Sequence, residues 1–93
     1  MTPLQLPAQL YTPQGKVATS ILIDDRDESV SIFNPIHNEV LAAGENCQFT
    51  FVKRGWFFTE FVCSDPQKLF RFKILVYNKD GDTIRRYLQS WGK

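Results

Sequence analysis

Residues Phe70–Leu88 read FRFKILVYNKDGDTIRRYL, and the way this stretch divides decides the fold. Phe70, Phe72, Ile74 and Val76 alternate with Arg71, Lys73, Leu75 and Tyr77, the period of two that sends successive side chains to opposite faces of a strand. NKDG after it fits a type I turn closed by glycine in a bulge, which would return DTIRRYL as a partner strand. The same residues also fit a helix. Ile84, Tyr87, Leu88 and Trp91 fall at i, i+3, i+4 and i+7, with Asp82 available as an N-cap and Gly92 as a stop. For residues 83–91 the strand is favoured, because the turn chemistry is local and a short isolated helix is marginal in water. The helix stands as the alternative.

Upstream, the period of two recurs. Leu4, Leu6, Ala8 and Leu10 alternate with Gln5, Pro7, Gln9 and Tyr11, and Pro7, which cannot donate to a ladder, predicts a strand at a sheet edge. TPQG (12–15) supplies a turn, Val17, Thr19, Ile21 and Ile23 make the next row, and VSIF (30–33) makes a short strand that stops at Asn34-Pro35. A weak strand signal surrounds Val40, and Phe49 and Phe51 alternate within QFTFV (48–52). KRG (53–55) then reads as a hairpin loop leading into WFFTEFVC (56–63). Strands closed by turn residues at such short intervals, with no βαβ alternation, predict one small antiparallel all-β domain over residues 1–93. An immunoglobulin-like sandwich is the first expectation and an OB-type barrel the second.

Composition narrows the function classes. The 93 residues are 43% hydrophobic and 23% charged, the profile of a globular domain too small to leave most of its large apolar side chains outside. Net charge is only +1, but it is unevenly spread. Residues 1–47 carry Lys16 and Arg26 against six acids, and residues 48–93 carry nine bases against four acids. A sign difference between halves can mark a nucleic-acid face, but the favoured expectation is that the folded domain interleaves the halves so that their charges largely neutralise. No apolar run approaches a membrane span, and the opening residues lack a basic-then-apolar leader, so the expectation is a cytoplasmic protein or else a processed form that has lost its signal.

Cys47 and Cys63 are too few for a disulfide scaffold and, with His37 the sole histidine, cannot complete a four-ligand zinc site. They are expected as buried, reduced thiols. His37 sits in the polar turn NPIHNE, so a Cys63–His37 catalytic pair is far less favoured than a solvated loop histidine. The acidic run Asp24–Glu28 lacks the glycine and distal glutamate of a calcium loop, and the five glycines form no phosphate-binding motif. The expectation is therefore a non-enzymatic chain with no cofactor and no metal.

What remains is a surface. If Phe57, Phe61 and Phe72 point inward, strand parity turns Trp56, Phe58, Arg71, Lys73 and Tyr77 outward, flanked by Lys53 and Arg54. Mixed aromatic and cationic faces suit protein partners, and equally suit the stacking of single-stranded nucleic acid. A third reading buries both faces, between two sheets or under the C-terminal segment. Dedicated nucleic-acid binders are usually strongly basic, whereas the pI here is near 7.8. A protein-interaction or assembly module is therefore favoured, with nucleic-acid binding as the alternative.

Two structural expectations follow. Pairing Val52 with Trp56 across the hairpin would set Cys47 opposite Phe61, with Cys63 a diagonal neighbour on the same core face. VSIF and QFTFV lack a proline or an inward charge, so either would be an unprotected edge inviting self-association.

Overall fold

The computed structural model describes residues 3–67 and 69–89. Seven strands run in chain order as β1 (Leu4–Thr12), β2 (Gly15–Asp24), β3 (Ser29–Asn34), β4 (Glu39–Gly44), β5 (Gln48–Arg54), β6 (Phe58–Ser64) and β7 (Arg71–Tyr77), followed by helix α1 (Asn78–Leu88). All pairings are antiparallel, and the strands form one sheet in the order β4-β3-β2-β1-β7-β6-β5. The all-β class is as the sequence predicts. The finer immunoglobulin-like layout finds no support in this connectivity, which joins two up-and-down meanders, β1–β4 and β5–β7, into a single sheet instead of splitting the strands between two.

The sheet curls. At one end Gly44 of β4 lies so close to Phe70, just before β7, that a Cβ on the glycine would stand 2.9 Å from the ring. The β4–β5 connection is tied to the β2–β3 turn by Cys47 N–H donating to the Glu28 carbonyl at 2.9 Å. Register carries one row of side chains around the concave side: Phe51 opposite Phe61, Phe61 opposite Ile74, Ile74 opposite Leu10. A second row joins Leu6, Ile21 and Ile32, and a third Ile23 with Val30. Leu10, Ile21, Ile23, Val30, Ile32, Phe61 and Ile74 belong to the buried core with Cys47, Cys63, Phe70 and Val76, and Leu6 and Phe51 pack against it partly buried.

Helix α1 fills the concavity, and here the favoured strand reading fails. Ile84 is fully buried in the core, and Tyr87 and Leu88 pack against it at the predicted i+3 and i+4 positions. Tertiary burial supplies what an isolated helix of this length lacks. NKDG forms the first helical turn instead of a bulged β-turn, so Asp82 lies inside the helix and is not its cap. Gly81 serves a close approach: a Cβ there would meet the Thr59 Oγ1 at 2.7 Å. Asp80 in the first turn and Arg85 and Arg86 in the last complement the helix dipole. Trp91 and Gly92 lie outside the described residues.

Three edge and register expectations also change. β1 is interior, between β2 and β7, despite Pro7. It is tolerated because β7 pairs with β1 only at Gln9 and Leu10, so the ladder ends before the residue that could not donate to it. β3, which contains VSIF, is also interior, whereas β5 is an edge as expected, with β4 the other. In the β5–β6 hairpin Lys53 and Arg54 belong to the strand, and the loop is Gly55–Phe57, closed by Gly55 N–H donating to the Phe58 carbonyl at 2.7 Å. Phe61 therefore faces Phe51 and Cys63 faces Phe49, with Val52 bulged out. Compared with the expected register, the partner of Phe61 moves four positions, from Cys47 to Phe51. An even shift preserves faces, so both thiols still share the core side, buried and free. Burial pushes both above the ordinary thiol range, Cys63 the further, with its neighbour Cys47 adding to the effect.

Candidate protein-docking surface

The convex side of β6 and β7 carries most of the predicted surface residues. Phe58 lies opposite Tyr77 in register, and their rings stack with centroids 5.1 Å apart. Arg71 and Lys73 follow on the same row of β7, both exposed. Parity was sound here because both residues of each pair lie within paired strand. It fails at the loop. Phe57, expected inside, is 72% exposed, because the strand begins one residue later and the alternating rule does not apply to it. Trp56 is 93% exposed, outside as expected, though as part of the hairpin tip and not of a strand row.

The tip is held firmly. Asn78, the first residue of α1, donates its backbone N–H to the Phe57 carbonyl at 2.9 Å. Its side-chain amide donates to the carbonyls of Gly55 and Trp56 at 3.0 and 3.1 Å, and its Oδ1 accepts from the Thr59 hydroxyl at 2.9 Å. One residue thus ties three successive carbonyls of the tip to the helix start. Nothing local in NKDG announces this role, since the partners lie about twenty residues away in sequence.

Cations are divided between two sides. Lys53 pairs in register with Glu60 on the convex side, whereas Arg54, opposite Thr59, reaches the helix and forms an ion pair with Asp82 at 3.2 Å. Glu60 is a buried carboxylate with Lys73 Nζ at 3.7 Å. Lys73 also stands 5.3 Å from the centre of the Tyr11 ring, with Lys16 at 5.6 Å. Burial, together with a hydrogen bond to Glu60 and its charge, holds the Tyr11 phenol above its usual range. Tyr11 and Lys16 were not among the predicted surface residues. The parity of β1 offered Tyr11 on the row of Gln5, Pro7 and Gln9, but only the β1–β7 pairing brings it beside Lys73.

Beside the Phe58–Tyr77 stack, where β1 and β7 cease to pair, a mostly apolar groove of about 250 Å³ opens between Pro7, Ala18, Pro35 and Leu75. Residues adjoining its walls are exposed and apolar: Ile36 follows Pro35, and Phe57 precedes Phe58. The arrangement is an apolar cleft beside the stacked rings of Phe58 and Tyr77, with Lys73 two residues from Leu75 on the same row of β7. Such a surface can hold an apolar side chain and its acidic neighbours. Among the described residues no helix is long and apolar enough to cross a membrane. No family model matches this chain, and neither the curated proteins nor the solved structures contain a match to it.

Proposed function

We propose that this protein is a non-enzymatic interaction module that docks a protein partner through Trp56, Phe57, Phe58 and Tyr77, with Lys53 and Lys73 selecting acidic neighbours; Arg71, level with Ser64 at the far end of β7, lies too far from the tip to share in it. The observation that carries this reading is the tip itself: two large aromatic side chains, 93% and 72% exposed, on a loop whose carbonyls are tied down by Asn78. Leaving such area in water has no benefit to the free domain, whereas tryptophan is among the residues most enriched at binding hot spots. Rigid presentation lowers the ordering cost of association. The buried thiols suit a reducing compartment such as the cytoplasm.

The ring geometry favours a protein over single-stranded nucleic acid. Phe58 and Tyr77 stack on each other, which occupies one face of each ring, and the net charge of the chain is only +1. A base-stacking track needs open ring faces, and dedicated nucleic-acid binders are usually strongly basic.

Selection of a random displayed-peptide library on the folded protein tests the proposal. Enriched peptides should combine apolar and acidic residues, and Trp56→Ala with Phe57→Ala should weaken them about 30-fold or more, the effect of losing a hot spot of about 2 kcal/mol. Peptides that bind the double variant equally well would overturn the reading. So would tight binding of a fluorescent single-stranded oligonucleotide that weakens steeply with salt.

A further inference from the structure

The end of the molecule remote from the tip holds a larger concavity, about 790 Å³, where the β4 edge approaches the β6–β7 turn. Ala42 and Phe72 contribute apolar lining, Leu69 stands on its wall 83% exposed, and Asp27, Glu45 and Asp65 make it acidic. Among the described residues no three acidic or metal-ligating side chains converge as a metal site would require, so these carboxylates border the groove instead of gathering at a point. Phe70 and Phe72, packed edge to face with centroids 4.8 Å apart, give it an aromatic side.

The tip is the complement of this groove in both shape and charge. It projects two aromatic rings and is flanked by Lys53 and Arg54; the groove is concave, partly aromatic and lined by three carboxylates. The groove volume falls within the range that accommodates ligands of about the size of two aromatic side chains. The Arg54–Asp82 pair is exposed on both sides, worth about 0–1 kcal/mol, and so exchanges readily for a new carboxylate. The two surfaces cannot meet within one chain. The tip precedes Phe58 at the start of β6, Asp65 follows Ser64 at its end, and this seven-residue strand separates them by about 20 Å.

We infer that the protein binds a second copy of itself head to tail, with the Trp56–Phe57 tip of one chain seated in the Asp27–Glu45–Asp65 groove of the next. This rests on the reading of the tip as a docking element and names its partner. Such a contact is heterologous: every chain offers one tip and one groove, so association continues into a ring or an open row of chains.

Mixing two disabled variants tests it. The tip-less variant carries Trp56→Ala and Phe57→Ala; the groove-blocked variant carries Ala43→Arg and Glu45→Lys, both at exposed positions on the groove wall. Far-ultraviolet circular dichroism and thermal melts establish that each is folded. Sedimentation of the wild type should show association growing with concentration, and each variant alone should weaken it at least about tenfold, a loss of about 1.4 kcal/mol. An equimolar mixture should restore association but stop at a heterodimer, because one chain keeps only its groove and the other only its tip. A wild type that remains monomeric overturns the inference, and peptides that still depend on Trp56 would then leave the docking reading standing with a foreign partner. Assembly unaffected by the groove-blocked variant, or a mixture that does not associate, also overturns it and points to symmetric pairing along the β5 edge.

Discussion

Phe57 and Phe61 stand in one alternating row of the sequence, yet Phe61 is wholly buried between Phe49, Phe51 and Ile74 while Phe57 lies 72% exposed on the hairpin tip. The difference is a matter of where pairing stops. Phe61 is locked into the concave row by neighbours on both sides, and its burial contributes about 1.5–3 kcal/mol. Phe57 is one residue short of β6, so its direction is set by the hydrogen bonds of Asn78 and not by pleat. One region of the hairpin uses its rings to hold the fold; the other is held by the fold to display them.

The contrast is broken most severely in the core. Phe61→Ala should cost about 3–5 kcal/mol in chemical denaturation, the range for emptying a buried aromatic site. A loss below about 1 kcal/mol would mean that the two halves of the hairpin do not differ as described. The same variant should expose Cys47 and Cys63 to thiol reagents that react slowly with the native protein. In the wild type, the raised thiol pKa values give a definite sign to the pH dependence. Their contribution to stability is complete below the ordinary thiol pKa near 9.0 and is lost as pH rises above it, because the unfolded chain then releases protons that the folded one retains. Denaturation midpoints measured from neutral to alkaline pH should fall accordingly, and a Cys63→Ala variant should show a shallower fall.

Next in size is Gly81→Ala. In an exposed helix this change stabilises by up to about 1 kcal/mol, but here the new Cβ would meet Thr59 at 2.7 Å from Oγ1 and 2.8 Å from Cβ. A net loss of about 1–3 kcal/mol is expected from the forced separation of helix and sheet, read from thermal unfolding. A stabilised variant would show that α1 does not rest on β6 as closely as described.

Asn78→Ala acts on the display itself. It removes two bonds to tip carbonyls and the acceptor for Thr59, for an expected loss of about 1–2 kcal/mol. Hydrogen exchange at the Gly55 amide should quicken while that of the β6 core amides changes little. Uniform quickening across β6 would place the tip within the core's cooperative unit. Least affected of all should be stability in Trp56→Ala, within about 0.5 kcal/mol of wild type by the same denaturation assay, even as it weakens binding of the selected peptides.

Much of this was open to reading wherever pairing is regular. In Phe70–Tyr77 and in β2 from Thr19 onward, alternation sorts the two faces, although Leu75 on the outward row is buried and Val17 at the start of β2 is exposed. Most of the misreadings come from contact between residues distant in sequence; the hairpin register instead turned on how the local loop closes at Gly55 and Phe58. Gly81 has the local signature of a turn glycine, and its use against Thr59 cannot be inferred from NKDG. Pro7 reads as an edge residue until one knows that β7 leaves β1 after Gln9. The hairpin register moved by an even number of residues, which is why the cysteine faces came out correctly from a wrong pairing. Of the surface, the rings and cations of β6 and β7 were legible, while Asn78, Tyr11 and the groove beside Pro7 depend on folded neighbours.

The brief ladder between β1 and β7 bears on the order in which the chain folds. Every other strand pairing joins neighbours in sequence, whereas this one brings Gln9 to Leu75 and so closes a loop spanning most of the chain. Hairpins form in microseconds, but closure over such a separation must be met before its contacts repay it. The two meanders should therefore assemble separately and meet last, making their junction the slow event. In stopped-flow refolding, Ile74→Ala at that junction should retard folding more than a Val30→Ala substitution of equal stability loss within the first meander.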